Sequence, residues 1–262
     1  MSIAAVRSRL LGTLADVGRA ALHANFPDDI EYYSIAFELI DHKDSTVDIL
    51  VLPILPSSLN IAEQPNTNIK RTGGGTAILF NSGFQPFNIT MAGNFGRKFR
   101  FLVGQSEIIG VGFRFNFRGN EFDSQIKSGY GTTKVLERIL KNSLRTDDQQ
   151  RPFKLIFHNM AFNQSHVVEA VSWGFSQNDS NSNMIWNYNI SLRAVAPALF
   201  IRGEQSAKSA LSRLLQASVM QNTLNTLLTD GLESLHKAKN KLTNELTDDK
   251  INQFVKKVTD IF

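Results

Sequence analysis

The sequence predicts an α+β protein: a β domain over residues 32–197, an amphipathic helix over 1–24 before it, and a helical extension over 203–262 after it. Three observations carry this. Residues 32–196 are rich in β-branched and aromatic residues broken by Gly and Asn turns, the composition of strands. Ile3, Val6, Leu10, Leu14, Val17 and Ala21 recur at helical spacing. Beyond Gly203 there is no Pro and only Gly231, and Leu211, Leu214, Leu215, Val219, Leu224, Leu227 and Leu228 keep one apolar face.

The elements follow in order. Arg7, Arg9 and Arg19 between those apolar residues also allow an Arg-bearing transit peptide, but the periodicity reads as an amphipathic helix docked on its own protein or a neighbour; Thr13 and Asp16 interrupt the apolar run and make it a poor secretory signal. Ser34–Ile40 and Val47–Ile54 are strands joined by the polar turn Asp41–Ser45. Pro53, Pro56 and Pro65 bracket a polar stretch, 57–71, expected to be a long loop. Thr76–Phe80 is a short strand, and Phe87, Ile89 and Met91 alternate with Asn88 and Thr90 as in a half-buried one. Val111, Phe113, Phe115 and Phe117 alternate with Gly112, Arg114, Asn116 and Arg118, which predicts one buried and one basic face. Strands near 97–103 and 109–118 are expected to pair as a hairpin carrying Arg97, Lys98, Arg100, Arg114 and Arg118.

Thr132–Leu144 is a helix with Val135, Leu136, Ile139, Leu140 and Leu144 on one face and a Glu137–Lys141 pair at i,i+4. Phe153–Phe157, Val167–Phe175 and Ile185–Val195 are three more strands. Thr247-Asp248-Asp249 caps a last helix with the stripe Ile251, Phe254, Val255, Val258 and Ile261. A single helix over 204–246 would be roughly 65 Å long, so the extension either folds back or packs on other chains.

The chain has 262 residues, 28 Lys+Arg against 24 Asp+Glu, five His and no Cys. Disulfides, thiolate metal sites and a cysteine nucleophile are therefore excluded. Its longest apolar runs are far short of the ~20 residues of a spanning helix. No His pair has zinc-helix spacing, and His158 and His166 read as satisfied surface residues. Arg71–Thr76 lacks the ending of a phosphate-binding loop and leads into a strand. Gly129–Lys134 precedes a helix and is the better anion-site candidate, although such entries are commonly plain turns. Asn178–Asn183 lacks the Gly and Glu of a calcium loop. No catalytic residues, cofactor or metal are expected.

The order of elements resembles bacteriophage baseplate and distal-tail proteins built on the tail-tube fold. The residues that carry the likeness are Pro53-Ile-Leu-Pro56, Lys70-Arg-Thr-Gly-Gly-Gly75, Phe87-Asn-Ile-Thr-Met-Ala-Gly93-Asn-Phe-Gly96, the helix at 132–144 and the closing strand Trp186–Val195. The likeness covers about 32–197; the basic segment 97–118 and the tail 204–262 depart from the family pattern. It implies an antiparallel β-sandwich or barrel whose subunits form a ring, hexameric or in some members trimeric, that connects or ends the tail tube at the baseplate hub. It also implies a virion protein assembled in the host cytoplasm, with DNA passing in transit. Interface candidates are Pro53, Pro56, Lys70, Arg71, Thr72, Arg97, Lys98, Arg100, Arg114, Arg118, Phe254 and Val258, and the C-terminal helices could meet a tape-measure protein. Two other readings are a nucleic-acid module using the basic residues of 97–118 and 127–145, and a glycan or peptidoglycan module stacking on Trp173 and Trp186. The Phe residues of 113–117 alternate away from the Arg residues, which separates stacking from phosphate contact; both Trp sit in apolar strand runs and read as core.

Overall fold

The computed structural model describes Arg19 and residues 34–63, 67–80, 83–104, 113–117, 120–146, 150–177 and 185–228. Apart from Arg19, the helix expected over 1–24 lies outside the described residues, as do the extension past 228 with Phe254 and Val258, Arg118 and the 178–183 loop.

Ten strands form one antiparallel sheet. They are β1 (Ile35–Ile40), β2 (Thr46–Val51), β3 (Ser58–Ala62), β6 (Phe87–Asn94), β7 (Arg100–Gly104), β8 (Phe113–Phe117), β9 (Asn120–Lys127), β10 (Lys154–Asn159), β11 (Gln164–Gln177) and β12 (Trp186–Pro197). Their order is β3-β6-β12-β11-β10-β1-β2-β7-β9-β8. Among the described residues the sheet is open, with β3 and β8 at its ends. β4 (Thr67–Thr72) and β5 (Gly75–Phe80) pair only with each other, turning through Gly73-Gly74. The polar stretch expected as a loop therefore contains β3 and β4: its alternation of Leu59 and Ile61 with Ser58, Asn60 and Ala62 is a strand pattern that the flanking prolines obscure.

The central strands are covered on both faces. Phe37, Leu39, Leu50, Leu155 and Phe157 point into one core, shared with Ile89, Met91, Ile190 and Leu192 and with the helix α1 (Gly129–Asn142) through Val135, Leu136, Ile139 and Leu140. The alternate residues Ala36, Ile49 and Val51 face the other way, onto the second helix α2 (Leu199–Leu228). This is why β1 is buried along its whole length and apolar except at Glu38. α2 starts as one turn, breaks at Gly203, whose φ of +70° suits glycine, and then runs on. Leu214, Leu215, Val219, Met220 and Leu224 bury its stripe against β2, β7 and β9. The apolar face of 211–224 is thus satisfied by the chain's own sheet, not by partner chains.

The expected 97–118 hairpin is not formed. β7 and β8 both pair with β9, which lies between them: Phe101 opposes Ile126, and Phe115 opposes Phe122. Strand 120–127 escapes a periodicity reading because Asn120, Glu121, Asp123, Ser124 and Gln125 dilute its apolar positions. β7 also joins β2 by one residue pair only, Leu50 with Gly104. Side-chain amides of α2 replace the missing ladder. Gln221 accepts from the Val103 N–H (2.9 Å) and donates to the Val51 carbonyl (3.1 Å). Asn225 accepts from the Phe101 N–H (2.8 Å) and donates to its carbonyl (3.1 Å). Buried backbone groups need partners, and here two amides one helical turn apart supply them.

Candidate assembly and contact surfaces

Two kinds of surface stand out. The first is the pair of sheet ends. β3 is bonded to β6 on one side, and no described strand pairs with its other side. Its alternate residues are exposed. Among the described strands β8 is likewise bonded only to β9. A free edge presents unpaired N–H and C=O groups and invites another strand.

The second is a basic rim where β6 passes into β7 and β9 into α1. Gly129 fixes its shape: a Cβ there would lie 1.8 Å from the Gly96 carbonyl oxygen, so only glycine lets the 95–99 turn lie against the first helical turn. Ser128 caps α1 through its hydroxyl, which accepts from the Gly131 N–H at 3.1 Å. Arg97, Lys98 and Phe99 are exposed in the turn. Arg100 directly opposes Lys127 across the ladder. Arg100 is half-buried, its Nε has no hydrogen-bond partner, and burial pushes its guanidinium below the ordinary value. Tyr130 is exposed beside Trp186, with ring centroids 5.9 Å apart, and Lys134 lies over its ring.

A third group is buried. Glu38 accepts from Arg202 Nη2 at 2.8 Å, from the Thr46 hydroxyl, and bonds His158 Nε2 at 3.1 Å. His158 Nδ1 meets the Ser165 hydroxyl at 2.8 Å. Burial pushes the Glu38 carboxyl up, but the His158 hydrogen bond and charge, the Arg202 charge and the Thr46 hydroxyl outweigh it and hold it below its usual value. Serine, histidine and glutamate in a row suggest catalysis, yet both Glu38 oxygens are occupied and its side chain is 1% exposed. The arrangement clamps the start of α2 to β1 and β10. Sequence reading took His158 and His166 as surface residues; both are buried. His158 faces Ser165 on one side of the sheet. His166 opposes Phe157 and sits between Phe84 and Phe87, where burial pushes its ring below the ordinary value.

The residues singled out from sequence are brought together only in part. Arg97, Lys98 and Arg100 share the basic rim. Pro53 and Pro56 lie in the connection leading to β3, and Lys70, Arg71 and Thr72 form the end of β4. Arg114 is on β8, in register with Asp123. Trp173 packs half-buried against the main core, and Trp186 is half-buried at the rim. Among the described residues no three His, Asp or Glu side chains are placed to hold a metal.

No protein-family model and no curated protein matches the chain. Among solved structures it is similar to a chain from the tail of an empty GTA particle, refined helically with C6 symmetry: 13% identity, TM-score 0.28, covering 63% of this chain and 91% of that one. It is also similar to a chain of the PVC sheath-tube complex, an extracellular contractile injection system in its extended state: 14% identity, TM-score 0.26, covering 67% and 93%. Both superpositions are loose.

Sequence reading missed the clamp and the two amides of α2, and had Lys127 only as one of the basic residues of 127–145. Glu38 was legible as an anomaly: a lone carboxylate within the apolar run Ile35–Ile40 has to find a cation. Gln221 and Asn225 carried a weaker signal, two amides at i,i+4 beside a leucine stripe.

Proposed function

We propose that this chain is a structural protein of a phage tail or baseplate that acts by assembly rather than catalysis. Copies associate through the free edges of the sheet into a ring, six-fold in the resemblance's usual form, that connects or ends the tail tube at the baseplate hub. The observation that carries the reading is the ten-stranded sheet that is open among the described residues, its end strands β3 and β8 each paired on one side only, on a chain whose Gly and aromatic positions resemble the tail-tube pattern. Pro53 and Pro56 direct the chain into β3, and the β4–β5 hairpin, with Lys70, Arg71 and Thr72 next to its turn, is a second contact. A contact with a tape-measure protein belongs to the part of the extension past 228 that carries Phe254 and Val258, since 211–224 is used internally. On this reading the protein belongs to the virion and assembles in the host cytoplasm.

Sedimentation velocity of the full chain, alone and mixed with tube and hub proteins, tests this. Rings or mixed complexes are expected. Asn60→Lys adds a charge to the exposed side of β3 and should abolish them while leaving the melting temperature unchanged. A chain that stays monomeric alone and in both mixtures overturns the reading.

A further inference from the structure

The basic rim is electrostatically frustrated. Arg100 and Lys127 are like charges directly opposed in an antiparallel pair, which is unfavourable on its own. Their face of the sheet looks toward α1: the next pair, Phe101 with Ile126, packs on the α2 side, while Lys127 carbons lie beside Gly131. The first turn of α1 holds no acidic residue. Arg97 and Lys98 follow in the exposed turn. Among the described residues none of these four cations has an ion-pair partner. A fold that tolerates such repulsion gains when an anion arrives.

Exposed aromatic rings share this surface. Phe99 is 65% exposed between the cations, and Tyr130 is 51% exposed on the adjoining helical turn. The alternation of 113–117 argued that ring and cation face apart; at the rim they are side by side. An acidic peptide supplies repeated charge but seldom flat faces at the same spacing. A single nucleic-acid strand supplies both, phosphates for Arg97, Lys98, Arg100 and Lys127 and base faces for Phe99 and Tyr130. We propose that the rim formed by the 95–100 turn and the start of α1 is a contact surface for single-stranded nucleic acid. The proposal stands apart from assembly: a monomer would bind as well.

The test is fluorescence anisotropy of the full chain with a labelled 20-residue oligodeoxythymidine, over 50–200 mM salt. Four phosphate contacts on a single strand give a log–log slope of about −2.8, an affinity loss of about 50-fold over that range. Arg97→Glu/Lys98→Glu should cut the slope by about half. Phe99→Ala and Tyr130→Ala should each weaken binding about fivefold or more and leave the slope unchanged. All four side chains are exposed, and thermal melts establish that the variants remain folded. The proposal is overturned by no binding at 50 mM salt or by indifference to the charge reversal. It is equally overturned if a duplex of the same length, or polyglutamate, competes as well as the strand while both ring variants are silent; polyglutamate would then mark the rim as a dock for an acidic protein.

Discussion

The seven strands from β3 to β2 and the three strands β7, β9 and β8 belong to one sheet but are held differently. In the larger part each strand meets its neighbour over five or more residue pairs, and β1, β2 and β10 are buried on both faces. The smaller part joins the larger by a single backbone pair, Leu50–Gly104, by the amides of Gln221 and Asn225 of α2, and by side-chain packing of Leu102 in the main core and of Phe101, Val103 and Phe122 with Ile49 and Val51 in the second. The segment after residue 97 and α2 therefore act together: the helix supplies backbone partners to β7 that its single-pair ladder with β2 does not.

A change in the larger part should be felt everywhere. Phe37 is fully buried and meets Phe157 edge-on at 5.8 Å. Phe37→Ala should cost about 3–5 kcal/mol in urea unfolding. It should lower amide protection in β1, β10 and the three-stranded part alike. Protection that falls only in the three-stranded part would invert the comparison.

Arg202→Met breaks the clamp between α2 and the larger part, leaving Glu38 buried with His158 and Thr46 alone. The expected loss is about 3 kcal/mol at pH 7, the low end for a broken buried pair. The pH dependence follows from Glu38, whose folded value lies below 4.5. Its contribution is present above about 4.5 and is lost as pH falls through the folded value. His166 acts in the same direction at higher pH. Phe84 and Phe87 pack its ring, with Glu63 and His158 the nearby titratable groups, and its folded value lies below 6.5. Stability therefore begins to fall as pH drops below about 6.5. Unfolding measured from pH 7 to 3 should show both declines, and His166→Phe should remove the first.

How much of this was legible follows from where each signal lives. Periodicity is local, so β1, β2, β6, β10, β11, β12 and α1 could be read directly; the Glu137–Lys141 pair forms as its spacing predicts, at 2.7 Å. Pairing is not local. Nothing in 97–118 announces that β9 inserts between β7 and β8, because the polar residues of β9 hide the strand that does it. Of the candidate site, Arg97, Lys98 and Arg100 were visible as a basic run. Phe99 lies within that run, Lys127 joins it through the β7–β9 register, and Tyr130 joins because Gly129 brings α1 against Gly96.

Gln221→Leu tests the seam itself. Leucine fills the space but leaves the Val103 N–H and the Val51 carbonyl without their partner, in a position where no water reaches the fully buried Gln221. An unsatisfied buried group costs about 1–3 kcal/mol. The loss should be regional: hydrogen exchange in β7 and β9 should speed up through opening of the three-stranded part, with β1 and β10 close to their original protection. Equal loss in both parts would mean that they open together and that α2 is not what joins them.

The smallest effect is expected where the sequence reading was clearest. Glu137 accepts from Lys134 at 2.8 Å and from Lys141 at 2.7 Å, and these bonds hold its carboxyl below the usual value. Both lysines are more than half exposed, so water and salt screen the pairs. Lys141→Ala should cost only about 0.3–0.5 kcal/mol, and 1 M salt should erase the difference. α1 is held by Val135, Leu136, Ile139 and Leu140 in the core of the larger part, not by its outer charges. A loss several times larger that persists in high salt would mean that Lys141 does something the pairing with Glu137 does not explain.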